Sequence, residues 1–221
     1  MVYLEKSQPA PSSLNEEKQK VNGNYKTPEV LDRLKHDFKN KCYLCEQKEP
    51  TAIQVEHFRP HKGDKDLEFD WDNLFLSCAH CNNTKLAKEG LLNCTDKTQD
   101  VENRLKYIFN PFPFEKVRIE ALDDSQETRN TKDLLMDIYN GTTHLKQIES
   151  SNLRNSLLNE IMDFQRLLCD YFKDTHSEES KQYLLMKIRG HLSRASGFAT
   201  FKRWIIKDNP PLRAAFEGYF D

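Results

Sequence analysis

Apolar residues recur at two different intervals along this chain of 221 residues. In "TPEVLDRLKHDF" (27–38), Val30, Leu31, Leu34 and Phe38 fall at three- and four-residue steps, the spacing of one buried helix face. Thr27 is suited to cap that helix and Pro28 to open it, since the first helical N–H has no partner to lose. Just upstream, "SSLNEEKQK" sets Ser13 and Glu16 at capping-box spacing and predicts a shorter helix. The interval then changes. "TAIQVEHF" (51–58) is β-branched and predicts a strand that Pro60 ends. A second apolar run, "NLFLSC" (73–78), leads into a helix expected over about 79–89, with Gly90 as its terminator. Residues 61–72, charged and containing Gly63, predict a loop between the two runs.

Two prolines in "NPFPFE" (110–115) interrupt any helix and mark the expected division between residues 1–110 and 111–221. Beyond them the helical interval dominates. "TKDLLMDIYNG" ends in a glycine. In the segment 142–172, Leu145, Ile148, Leu157, Ile161, Phe164, Leu168 and Phe172 keep helical steps, with a polar interruption around 150–152. Ser177, followed by acids, predicts the start of another helix, and "FATFKRWIIKDNPP" and "LRAAFEGYF" close the chain. No internal repeat or low-complexity tract is present. The second half is therefore expected to be a small helical bundle, with Trp71 and Trp204 in the core.

Composition narrows the functional classes. A mean hydropathy of −0.81 with 31% charged residues describes a polar chain, yet 13 Phe can still build a core. No apolar run reaches the roughly 18 residues of a membrane span, and "MVYLEKSQPA" lacks signal-peptide features, so a cytoplasmic setting without membrane contact is expected. Charge is evenly spread: residues 1–110 carry 17 Lys+Arg against 18 Asp+Glu, and residues 111–221 carry 16 against 17. Phosphate neutralisation dominates nucleic-acid affinity, so a chain of net charge −2 is expected to need help in gripping such a substrate. Arg189, Arg194, Lys202, Arg203 and Lys207 are the candidates for a nucleic-acid or partner surface, the alternative being an ordinary charged helix face.

Four of the six cysteines form two Cys-x-x-Cys pairs, Cys42/Cys45 and Cys78/Cys81, with Cys78 standing 33 residues after Cys45. A two-residue gap lets one tight turn or first helical turn present both sulfurs of a pair, and four converging thiolates suit tetrahedral Zn²⁺. Four thiolates leave no open position, so this zinc is a staple rather than a catalyst. His80, between Cys78 and Cys81, is the alternative ligand and is expected to point elsewhere. Cys94 and Cys169 are expected to be small buried residues.

In its combination and order, "CYLC…VEHFRP…WDNLFLSCAHCNNTK" resembles the HNH endonucleases with paired zinc knuckles. The resemblance covers about residues 42–85. It implies an α+β, mostly helical protein: a zinc-stapled ββα-metal (HNH) nuclease core, then the helical bundle as a probable partner-docking domain. By position it implies His57 as general base, Asn73 as the residue that orients it, and Asn82 as a ligand of a catalytic divalent ion, with Glu56 standing where the family usually has the Asp ligand. The short lead and helical tail further resemble PtuB-like proteins, which pair with an ABC/SMC-type ATPase, PtuA, in Septu and some retron anti-phage systems. That likeness implies a PtuA-like partner and a nucleic-acid substrate.

The chemistry asks for the same residue types. A neutral imidazole is suited to take a proton from water near pH 7. A carboxylate from Glu56 and an amide oxygen from Asn82 are hard donors for Mg²⁺ or Mn²⁺. Lys85, one turn beyond Asn82, is placed to meet a phosphate, and Arg59, His61 and Lys62 are weaker candidates for that task. Neighbours in a regular strand face opposite ways, so Glu56 and His57 share a centre only if the strand bends there; Asp70 and Asp72 are the alternative ligands. Two other functions stay open: a non-catalytic zinc-stapled module binding nucleic acid or protein, and the same site cutting tRNA rather than DNA.

Overall fold

Local capping chemistry sets where the first elements begin. The computed structural model describes residues 1–110, 116–173 and 176–221. Helix α1 spans Ser12–Lys18 and helix α2 Pro28–Asp37. Thr27 caps α2 by accepting from the Val30 N–H, with Pro28 opening the helix as expected. The Ser13/Glu16 capping box does not form. The Ser13 hydroxyl bonds to Thr27, while its N–H donates to Glu29, so the side chain that should have capped α1 instead ties α1 to α2.

Strand β1 (Ile53–His57) follows, then a short helix α3 (Lys65–Glu68), strand β2 (Leu74–Cys78) and helix α4 (Ala79–Lys85). The region 61–72 is thus not all loop: Asp64 caps α3, and Asp70 caps a 3₁₀ turn over Trp71–Asn73. Strands β1 and β2 pair antiparallel, from Ile53 opposite Cys78 to His57 opposite Leu74. Every residue of β2 is buried, which is why its sequence is apolar throughout rather than alternating. Helix α4 stops at Lys85, short of the expected end near 89. Leu86, not Gly90, takes the positive φ (49°) that ends it.

The next hairpin was not legible in the sequence. After a one-turn helix α5 (Val101–Arg104), strand β3 (Leu105–Ile108) pairs antiparallel with strand β4 (Arg118–Ala121). The expected division falls between them, and residues 111–115 lie outside the described residues. Five helices complete the chain: α6 (Gln126–Asn140), α7 (His144–Tyr171), α8 (Glu178–Leu192), α9 (Ala199–Lys207) and α10 (Pro210–Phe216). Ser177 caps α8 as expected. Helix α7 runs unbroken through 150–152, because the buried Ser150 hydroxyl donates to the Ile138 carbonyl, 2.7 Å away on α6. No described helix is long and apolar enough to cross a membrane.

The larger apolar cluster runs through the expected division. It joins Leu34, Tyr43, Leu76 and Leu92 to Ile138, Tyr139, Leu157 and Phe201. Phe164, Ile188, Ile206 and Phe216 form a second, smaller cluster within the helices. Trp71 is buried and Trp204 packs against the larger cluster, both as expected. Cys94 is buried, but Cys169 is exposed.

The basic tail residues do not share one exposed surface: Arg189 is exposed, Arg194 and Lys207 are half-buried, and Lys202 and Arg203 are buried. Helix α9 turns the last two inward onto acids. Lys202 Nζ lies 2.7 Å from Glu160, and Arg203 reaches Glu102 at 2.6 Å and Asp221 at 2.5 Å. Arg194 shares Glu102 at 2.9 Å, and Lys207 donates to the Glu102 carbonyl.

Candidate active site and zinc centre

The first cysteine pair sits in a knuckle directly after α2, with Lys39, Asn40 and Glu46 at positive φ turning the backbone back on itself. The Glu46 N–H donates to the Cys42 carbonyl, and the Tyr43 N–H to Leu76 on β2. The second pair straddles the β2–α4 junction, where the Cys78 sulfur caps α4 by accepting from the Cys81 N–H. All four thiols are buried, and their sulfurs lie within 4.8 Å of one another. A tetrahedral ion with 2.3 Å bonds to sulfur sets its ligands about 3.8 Å apart; the Cys45 and Cys78 sulfurs are 3.9 Å apart. Burial pushes the Cys45 and Cys81 thiols up, whereas at Cys42 burial is outweighed by hydrogen bonds from the other three thiols, which pull the thiol down. The donor set and spacing fit Zn²⁺.

His80 is not a ligand. Its Nδ1 faces Glu149 at 2.7 Å and its Nε2 the Ile138 carbonyl at 2.8 Å, so it bolts α4 to α6 and α7. Tyr139 adds a second bolt, its hydroxyl donating to the Cys45 carbonyl at 2.7 Å.

With one end of the β1–β2 ladder fixed at the cysteines, the other end and α4 form the walls of a cleft of about 500 Å³. His57, Glu56 and Asn82 all line it. The strand neighbours Glu56 and His57 do therefore border one space. The His57 Nε2 donates to the Glu68 carbonyl at 3.0 Å, which leaves Nδ1 as the basic nitrogen. Burial pushes its imidazole below the ordinary value; the Glu68 carbonyl opposes that push, and His61, with its ring centre 4.6 Å away, adds to it. A neutral base at pH 7 follows.

Asn73 does not line the cleft. Buried at the start of β2, it donates from Nδ2 to the Arg59 and Leu67 carbonyls, both at 2.9 Å, and accepts from the Arg59 N–H at 2.7 Å. It thus fixes both ends of the loop whose next residue, Glu68, holds His57. Asn82 is half-buried on the cleft face of α4, and its side-chain amide makes no hydrogen bond among the described residues.

Glu56 and Lys85 meet each other rather than ligands. Lys85 is 0% exposed and Glu56 5%; Nζ lies 2.6 Å from Glu56 Oε1 and donates to the His57 carbonyl at 3.0 Å. A phosphate reaches the Lys85 ammonium only if that pair opens. Burial pushes the Glu56 carboxyl up, and the Lys85 ammonium opposes that push. Its second oxygen, Oε2, makes no hydrogen bond among the described residues. Arg59 reaches Asp70 at 3.5 Å on the surface, outside the cleft. Asp70 and Asp72, the alternative ligands, do not line the cleft either; Asp70 caps the 3₁₀ turn and Asp72 accepts from Gln8.

Among the cleft residues that sequence reasoning missed are Tyr25, Lys26 and Leu86. Tyr25 lays its ring edge-on to His57, with centres 4.6 Å apart, from the connection between α1 and α2. Lys26 stands beside it, and Leu86 closes the wall beyond α4. Thirty-two positions separate Tyr25 from His57, and no local pattern links them.

Comparison with known proteins gives a family match over this region. Residues 42–88 match the HNH endonuclease family model, which takes in both cysteine pairs, His57, Asn73 and Asn82. The chain is also 33% identical over 113 residues to the Septu protein PtuB of Bacillus thuringiensis, a match covering 44% of each protein. It thus spans less than half the length of that relative.

Proposed function

We propose that this chain is a metal-dependent HNH endonuclease, hydrolysing phosphodiester bonds as the cytoplasmic effector of an anti-phage complex with a PtuA-like ATPase. The observation that carries the reading is that His57, Glu56 and Asn82 line one cleft, with His57 Nδ1 and the Asn82 side-chain amide making no hydrogen bond among the described residues. Support also comes from the HNH match over residues 42–88 and the likeness to Septu PtuB. Four thiols kept for zinc suit a reducing compartment. A net charge of −2, with Lys202 and Arg203 turned inward, leaves substrate capture to the partner. Residues 116–221, mostly helical in their described parts, are the segment offered for docking, and DNA is the favoured substrate.

In this reading His57 Nδ1 takes a proton from the attacking water, while Nε2 stays on the Glu68 carbonyl to hold the ring in plane. Asn73 acts through the 59–68 loop and is a positioning residue. Asn82 Oδ1 and Glu56 Oε2 would hold Mg²⁺ or Mn²⁺, with Lys85 fixing Glu56 through Oε1. When bound, that ion supplies positive charge against the charge developing on the phosphate. Lys85 therefore orients a ligand rather than touching substrate.

His57→Ala tests the proposal. With the partner ATPase and Mg²⁺ or Mn²⁺ present, the variant should lose cleavage at least a hundredfold while keeping one zinc and its fold. Full cleavage in that variant would leave a zinc-stapled binding module as the better account. The chain without its partner should cut weakly; strong cutting alone at physiological salt refutes the shared labour.

A further inference from the structure

Leu86 is costly in the free protein in two ways at once. Its backbone, at φ 49° and ψ −128°, lies in a region that glycine adopts freely and a leucine adopts only under strain. Its side chain is also 71% exposed. Neither local conformation nor burial accounts for leucine here. The position is nonetheless firmly held: the Lys85–Glu56 pair buries the last turn of α4, and the Leu86 N–H donates to the Asn82 carbonyl at 3.1 Å. The kink turns an apolar side chain into the wall of the cleft that holds His57 and Asn82. Tyr25, edge-on to His57, lines the same cleft, as does Lys26, while Lys62 on that lining pairs with Glu89 at 2.6 Å.

We propose that Tyr25 and Leu86 grip a nucleobase next to the scissile phosphate, so that the substrate is nucleic acid with an unpaired, unstacked base at the cut. This rests on the nuclease reading and specifies its substrate class. A base has two apolar faces and needs such walls; a phosphate backbone alone does not. Aromatic stacking on a base is tolerant of sequence, while an apolar wedge favours bases already out of a duplex stack. Lys26 neutralises a flanking phosphate. A cleft of about 500 Å³ lies within the range that encloses small ligands.

Methyl NMR of the zinc-loaded full chain, carrying His57→Ala to prevent turnover, tests this with two probes. One is a thymidine tetranucleotide; the other is an abasic tetramer with the same phosphates. The Leu86 methyls should shift with the first, and the abasic strand should bind at least fivefold more weakly. Leu86→Ala and Tyr25→Leu should each weaken the thymidine strand by about fivefold or more and leave the abasic strand unchanged. Leu86→Gly should show the same loss of binding yet melt higher than its parent, because the backbone strain is relieved. Equal affinity for the two strands, Leu86 methyls that move on adding the ATPase partner without nucleic acid and not with the thymidine strand, or a Leu86→Gly variant that melts lower would each overturn the proposal. Base-dependent shifts with His57→Ala cleavage undiminished would instead sink the nuclease reading and leave the nucleobase grip standing.

Discussion

Lys85→Met should destabilise the zinc-loaded protein by about 3 kcal/mol. Lys85 is wholly enclosed, Glu56 nearly so, and their charged atoms are 2.6 Å apart. Removing one member of such a pair leaves the other charge buried without its partner, a loss of about 3–5 kcal/mol. The same ammonium donates to the His57 carbonyl, a bond of about 1 kcal/mol whose loss falls within that range. Glu56 borders the cleft, where water can approach its freed carboxylate, so the lower part of the range applies. For a chain of this length about 2–4 °C accompanies each kcal/mol, giving a fall in Tm of about 6–12 °C. Urea unfolding of Lys85→Met, Glu56→Gln and the double variant completes a cycle, in which the coupling should reach about 2 kcal/mol. Single effects below about 1 kcal/mol that simply add would refute a buried pair fixing α4 to β1, and with it the account of why Glu56 and Leu86 hold their places.

Chelating the structural zinc, or changing Cys81 to Ser, should unfold the knuckle and abolish activity. Elemental analysis should find one tightly held zinc per chain beside an EDTA-sensitive requirement for Mg²⁺ or Mn²⁺; a fully folded Cys81→Ser protein would contradict the staple. Because burial lowers the His57 value, the neutral base persists to lower pH, and the acid limb of log(kcat/KM) should lie below 6.5, the ordinary imidazole value. Between the folded value and 6.5 the unfolded chain binds more protons, so stability should rise with pH there; a limb above 6.5 refutes the burial argument. Asn73→Ala removes three bonds to the 59–68 loop and should lower kcat by about a hundredfold through misplacement of His57, with KM nearly unchanged. An altered KM with intact kcat would show that Asn73 serves substrate binding instead.

The parts of the site written in short-range spacing were legible. Two Cys-x-x-Cys pairs, an apolar run before each junction and the Thr27–Pro28 start each act within a few residues. Contacts between distant segments were not. Nothing local announces that Lys85 will bury its charge on a residue 29 positions earlier, or that Tyr25 will lie against His57. Strands β3 and β4 are four residues each and mix lysine and arginine with apolar positions, too little to reveal a period of two. The polar break at 150–152 misled because Ser150 satisfies a carbonyl of another helix. Lys202 and Arg203 misled because charge density along a sequence says nothing about which way a helix is turned.

The knuckle that carries Cys42 and Cys45 leans on residues more than ninety positions away. Tyr139 covers it from α6, and the Glu46 carboxylate takes both the N–H and the hydroxyl of Thr200 on α9. A fragment ending near residue 110 would therefore expose the apolar floor under its own metal and strip the Glu46 carboxylate of its two bonds from Thr200. The zinc-knuckle unit is not a detachable cassette: anyone grafting it onto another protein must carry its helices along.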